Sequence, residues 1–322
     1  MKYKVTLNGR TYEVEVEQGE AILVEPGASI RYDAASGNKA ANRCILLSGG
    51  GATGEGGVLR CMGYGEVSFA QYKLQGDATF ATSYANDYSL CFQGGGYGGN
   101  NKTIVYLNGH DLTLKTVNSG KGYRLSGAFR LEGTGRVVVD GTYFGQGGSE
   151  VANLTSNDGD VTLVLKNGAT FRPRFPSMVS FFDAIDAEAG TTIAAGEGGA
   201  AAFDMAIDGL AGAPTATALT SLTVRKSLTV RIADLKQGHR LAVDGSLAFG
   251  EDVTLTIEGN PNELTLDADN RIKIATSQTG VTGLPVLRSA KLLRHWSVVA
   301  GEDGMSVELA YDPALPEGVI DV

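Results

Sequence analysis

Tryptophan occurs once in the 322 residues, and cysteine and histidine three times each. Cys44, Cys61 and Cys91 are an odd number with no CxxC spacing, which excludes a disulfide framework and a zinc-finger type of site. Cys44 lies in the apolar run Cys44-Ile45-Leu46-Leu47 and reads as a structural thiol. His110, His239 and His295 each lack a second His or Cys at ligand spacing, so no metal site is expected. Only 8 residues are proline, and 43% hydrophobic with 20% charged residues excludes both collagen-like and wholly disordered chains. No stretch approaches the roughly 18 apolar residues of a membrane span, and no secretion signal is readable in the alternating start of the chain. Positive charge is also short: 27 basic against 36 acidic residues give 27 − 36 = −9, which disfavours nucleic acid and anionic lipid surfaces as partners.

Glycine is abundant: 45 residues, well above the usual share of about 7%. Such a chain is rich in turns. The first strong pattern is an alternation of period two on either side of Asn8-Gly9, with Tyr3, Val5 and Leu7 on one arm and Tyr12, Val14 and Val16 on the other. An Asn-Gly pair takes the positive φ values of a primed turn, so the pattern predicts a β-hairpin. The segment from Met1 to Val24, followed by Glu25, resembles the opening of the biotin carrier subunits of biotin-dependent decarboxylases. The Met-Lys-Met that carries the biotinylated lysine in that family does not occur in this chain, so no cofactor is expected.

From about residue 30 to 290 a short β-branched run is repeatedly followed by an acid or amide and then glycine. Instances are Leu107-Asn108-Gly109, Val139-Asp140-Gly141, Lys166-Asn167-Gly168, Ile207-Asp208-Gly209, Val243-Asp244-Gly245 and Ile257-Glu258-Gly259. Their irregular spacing suits a solenoid whose coils differ in their loops, and not a propeller or leucine-rich repeat. Ser-Leu-Thr-Val-Arg stands twice, at 221–225 and 227–231, the mark of a repeat fold. Helical signals are few: 177–189 is a candidate short helix and the Ala-rich stretch 199–213 another. Strands without crossover helices cannot build a Rossmann or TIM architecture.

Residues 100–310 resemble pectin-lyase-like right-handed β-helices and, within them, autotransporter-type passenger segments. The phrases that carry the resemblance are 106–114 (YLNGHDLTL), 133–141 (GTGRVVVDG), 241–247 (LAVDGSL) and the closing 296–299 and 306–309. The expected fold is all-β: a right-handed parallel β-helix over 26–290, with an N-terminal hairpin cap over 1–25 and a C-terminal hairpin cap and tail over 291–322. Caps are needed because the open end of a coil stack exposes unpaired strand edges.

Sites are harder to read. The glycine clusters at 49–54 and 94–99 match GxGxxG, but no helix start or βαβ unit follows, so surface loops are expected and not a dinucleotide site. Gly238-His239-Arg240 and Asn270-Arg271-Ile272-Lys273 resemble the Gly-His-Gly and Arg-Ile-Lys motifs of polygalacturonases, with Arg240 in place of the second glycine. The resemblance makes His239, Arg271 and Lys273 the weak catalytic alternative. The paired acids that glycoside hydrolysis requires are missing, since Asp183, Asp186, Asp204, Asp208 and Asp234 stand singly. Arg225, Lys226, Arg231, Lys236 and Arg240, with Arg271 and Lys273, are a candidate basic stripe if stacking aligns them. Tyr64, Tyr72, Tyr84, Tyr88 and Tyr97 cluster beside glycine-rich loops and are the candidate ligand-binding residues. Trp296 is expected to plug the end of the core. The leading expectation is a non-catalytic surface or secreted structural or adhesion segment that binds a carbohydrate or cell-surface ligand. A carbohydrate-active enzyme is the alternative. The resemblance to autotransporter passengers implies an extracellular or cell-surface location.

Overall fold

The computed structural model describes residues 2–7, 10–15, 21–24, 29–33, 43–47, 58–62, 65–68, 70–82, 90–94, 103–116, 123–145, 153–154, 160–173, 179, 181–195, 204–288 and 295–314. Side chains are described at 74–79, 105–115, 131–145 and from 160 onward within those ranges. The chain divides into two compact units, Met1–Phe181 and Phe182–Val322. Both are built from short parallel strands stacked coil upon coil, which makes the fold a β-solenoid.

The first unit opens with the expected hairpin. Lys2–Leu7 pairs antiparallel with Arg10–Glu15, placing Tyr3 opposite Val14 and Val5 opposite Tyr12. Lys2–Leu7 also pairs antiparallel with Ser29–Asp33, the first strand of a parallel ladder. That ladder continues through Val58–Met62, Ala78–Thr82, Asp111–Thr116, Gly135–Asp140 and Val161–Lys166. Two further ladders run beside it. One passes through Ala21–Val24, Arg43–Leu47, Ala70–Leu74, Thr103–Tyr106 and the end of Tyr123–Glu132. The other passes through Gly65–Ser68, Leu90–Gly94, the start of Tyr123–Glu132, Tyr143–Gly145 and Thr170–Arg172. From Arg43 onward, successive coils therefore give strand segments to each of three ladders.

Register explains the core. Leu112, Val137 and Leu163 form one column and Leu114, Val139 and Leu165 another, all fully buried. In a strand, successive side chains point to opposite faces, so Val161–Lys166 buries Val161, Leu163 and Leu165 and leaves the residues between them half-buried. Phe144 lies directly opposite Phe171 on the next coil, and the two rings stack with centroids 5.9 Å apart.

The second unit repeats the scheme. Ala184–Ala187, Asp204–Gly212 and Ser221–Arg231 stack in parallel, and Ser221–Arg231 then carries both Ser246–Phe249 and Thr254–Glu258. The duplicated Ser-Leu-Thr-Val-Arg is thus one strand in two halves, each half with its own partner. Leu222, Val224, Leu228 and Val230 are buried in one alternating phase, interrupted only at Lys226, which is exposed where the register shifts beside Ile207 and Gly209. A second ladder runs through Thr192–Ala194, Thr215–Thr217, Leu241–Val243 and Arg271–Ser277. Ser306–Tyr311 closes it antiparallel and pairs in turn with Trp296–Ala300. This is the expected C-terminal hairpin.

Two local expectations are corrected. The candidate helix at 177–189 is helical at Val179 but gives way to the strand Ala184–Ala187, and the one at 199–213 contains the strand Asp204–Gly212. Ile185 with Ala187, and Met205 with Ile207, alternate toward the core at period two, and the coil ladder satisfies their backbone groups. A helix, α1 at Ile232–Lys236, follows directly on a strand and buries Ile232 and Leu235.

Asn108 and Gly109 (φ +51° and +85°) and Asn167 and Gly168 (φ +54° and +73°) both place two successive residues in the left-handed region, as a type I′ turn requires. Gly141 and Gly259 are also left-handed, at +61° and +106°. Gly209 and Gly245 are not. A Cβ on Gly245 would lie 2.0 Å from the carbonyl oxygen of Leu219, so glycine stands there because the preceding coil approaches too closely.

Candidate functional site

Parallel stacking in register places outward residues of adjacent coils opposite one another, and their charges meet. Asp111 faces Arg136, and the carboxylate takes a two-point hydrogen bond from the guanidinium, with Nε to Oδ1 at 2.7 Å. Lys115 faces Asp140, 3.5 Å from its carboxylate, which also accepts from Asn167 Nδ2 at 2.6 Å. In the second unit Arg225 Nε reaches Asp208 at 2.9 Å.

Arg231 is bonded at three of its guanidinium nitrogens. Its Nε donates to Glu258 Oε2 at 3.0 Å, Nη2 to Asp186, and Nη1 to the Ala187 carbonyl at 3.3 Å. Burial works against the charged guanidinium, but the hydrogen bonds and charges of Asp186 and Glu258 outweigh it and raise its pKa above the ordinary arginine value.

Beside this cluster a depression of about 540 Å³ lies between α1 and the segment 258–263. Ile232 and Gly259 are among its lining, with Arg231, Lys236, Gln237, Glu258, Asn260 and Glu263 around them. Lys236 Nζ donates to Glu263 Oε2 at 2.8 Å. A second depression of about 220 Å³ is lined by Asp267, Asp269, Arg271, Lys273, Glu302, Asp303 and Glu308. Glu308 is its buried member; it accepts from the Ser306 hydroxyl at 2.8 Å and lies 3.7 Å from the Arg271 guanidinium. Asp267 Oδ1 accepts from the backbone N–H groups of Asp269 and Arg271 at 3.0 and 2.8 Å, which folds that loop. Among the described residues no His, Cys, Asp and Glu side chains are grouped as a metal-ligand set.

Arg271 and Lys273 share the smaller depression, whereas His239 is exposed on the turn after α1, donates its backbone N–H to the Asp234 carbonyl, and lines neither depression. Of the candidate basic stripe, Arg225, Arg231, Lys236 and Arg271 each have an acidic partner, and Lys226, Arg240 and Lys273 are exposed. Tyr72 lies in Ala70–Leu74; Tyr64, Tyr84, Tyr88 and Tyr97 lie outside the described residues, as do the glycine segments 49–54 and 95–99. Sequence reading missed the Arg231 cluster, although the arginines that end the two Ser-Leu-Thr-Val-Arg copies were a signal for stacked charge. Among the described residues no helix is long and apolar enough to cross a membrane. No family, curated protein or solved structure matches the chain.

Proposed function

We propose that this chain is a non-catalytic structural or adhesion segment of a surface or secreted protein, with a stacked-coil wall that presents a binding face to a carbohydrate or cell-surface ligand. One observation carries the reading: among the described residues, charged side chains on facing strands are bonded to one another across coils. Asp111–Arg136, Lys115–Asp140, Arg225–Asp208 and the Arg231 cluster join strands of successive coils. Groups held this way stiffen a scaffold, whereas a general acid or base must be able to exchange protons with a substrate. The resemblance to autotransporter passengers supports the same reading and is what suggests an extracellular location. Immobilised full-length chain should retain oligosaccharides or cells without releasing shortened glycan products; cleavage of a bound glycan would overturn the reading.

A second reading, a carbohydrate-active enzyme, is favoured by the smaller depression, where five carboxylates gather with Arg271 and Lys273. An enzyme of that kind needs two acids placed to protonate the leaving oxygen and to activate water or form a glycosyl intermediate. Reducing-end release from polygalacturonate or a neutral glycan that disappears in Arg271→Ala would establish it. No release from either class would remove it.

A further inference from the structure

We propose that the larger depression, beside α1, binds a neutral oligosaccharide, with Gln237, Glu258 and Glu263 hydrogen-bonding the sugar hydroxyls. This rests on the binding reading above and gives it a location.

Volume comes first: about 540 Å³ is the size of a small-molecule site and accommodates more than one sugar ring. Charge comes second. Arg231 and Lys236 are matched by Glu258 and Glu263, so the formal charges of the lining cancel in a chain whose net charge is −9. Both cations are already bonded to carboxylates, which leaves little to attract an acidic glycan and favours an uncharged one.

Chemistry comes third. A saccharide presents adjacent hydroxyls that each donate and accept, and planar amides and carboxylates answer them with two atoms at fixed separation. Glu258 and Glu263 each commit Oε2 to a cation, and among the described residues neither Oε1 has a hydrogen-bond partner. The side-chain amide of Gln237 is likewise without a partner among the described residues, its backbone N–H alone being used. The ion pairs, though exposed, bias the two carboxylates toward one orientation before a ligand arrives, which lowers part of the ordering cost of binding. Hydrogen bonding in an open cleft gives weak affinity, of millimolar order.

Titration calorimetry of the full chain with cellohexaose, mannohexaose and hexagalacturonate tests the site. At least one neutral hexaose should bind. Its affinity should fall by about tenfold or more in the double variant Gln237→Ala/Glu263→Ala, the equivalent of one or two net hydrogen bonds. It should be unchanged in Lys273→Ala, which alters the other depression. Binding of a neutral hexaose that the double variant leaves intact overturns this site while the glycan-binding function stands. Hexagalacturonate bound more tightly than either neutral hexaose, and lost in Lys273→Ala, moves recognition to the other depression and overturns the proposal. No binding of either neutral hexaose at millimolar concentration also overturns it, and retention of whole cells by the immobilised chain then judges the adhesion reading by itself.

Discussion

Arg231 and Glu258 stand directly opposite each other on adjacent strands, Nε to Oε2 at 3.0 Å, while the same guanidinium reaches back to Asp186 and the Ala187 carbonyl. One side chain thus ties together three strand segments far apart in sequence. Replacing Arg231 with Met keeps the aliphatic stem and removes every one of these bonds. The expected loss is about 1–3 kcal/mol, toward the lower end because Glu258 is mostly exposed. A denaturant titration measures it as a lower midpoint at unchanged slope. A raised pKa means the contribution is complete below the unfolded value and is lost only as pH climbs through the still higher folded one. Both lie in strongly alkaline solution, so the difference between wild type and Arg231→Met should stay flat from neutral to about pH 9 as far as the guanidinium is concerned. A difference that shrinks across that interval would show that the arginine is not held as a charged partner.

Gly141 and Gly245 follow the same Asp-Gly phrase but for different physical reasons. At Gly141 the requirement is φ of +61°, and an added Cβ would meet the Asn167 carbonyl oxygen at only 3.4 Å. Gly141→Val should therefore cost about 1–3 kcal/mol of backbone strain, and Gly141→Asn, whose side chain tolerates the left-handed region, distinctly less. At Gly245 even alanine would press its Cβ to 2.0 and 2.2 Å of the Leu219 and Thr220 carbonyl oxygens. Gly245→Ala should consequently destabilise more than Gly141→Ala, by pushing apart two coils. Thermal melting of the four variants checks the order; equal effects of alanine at both sites would refute it.

Trp296 is the only tryptophan and lies in the terminal hairpin, 7% exposed, its ring 5.2 Å from that of Tyr311 and its Nε1 donating to Asn262 at 3.4 Å. Intrinsic fluorescence therefore reports this one element. Native emission should be blue-shifted, and Tyr311→Ala should shift it to the red at denaturant concentrations below the main transition seen by circular dichroism. Truncating a buried aromatic costs about 3–5 kcal/mol, so Trp296→Ala should lower the unfolding midpoint of the second unit as well. Red-shifted emission in native buffer would contradict the buried position.

Composition and local pattern determined a good deal. The absence of crossover helices, the glycine content and the β-branched runs closed by Asn-Gly or Asp-Gly left few architectures besides stacked strands, and Asn8-Gly9 and the Trp296 segment marked the two hairpins. These signals are local: a turn or an alternation is encoded in a handful of adjacent residues. What tertiary structure alone decided is lateral register. The acid that each basic residue meets lies about one coil or more away, as Asp208 does from Arg225 and Glu258 from Arg231, at a separation set by loops of unequal length. No fixed period in the chain announces it. The same register set Arg271 beside Glu308 and made strands of Ala184–Ala187 and Asp204–Gly212 within the candidate helical segments. An extended backbone satisfies its hydrogen bonds only through the neighbouring coil, so strand propensity is settled by what stacks above and below.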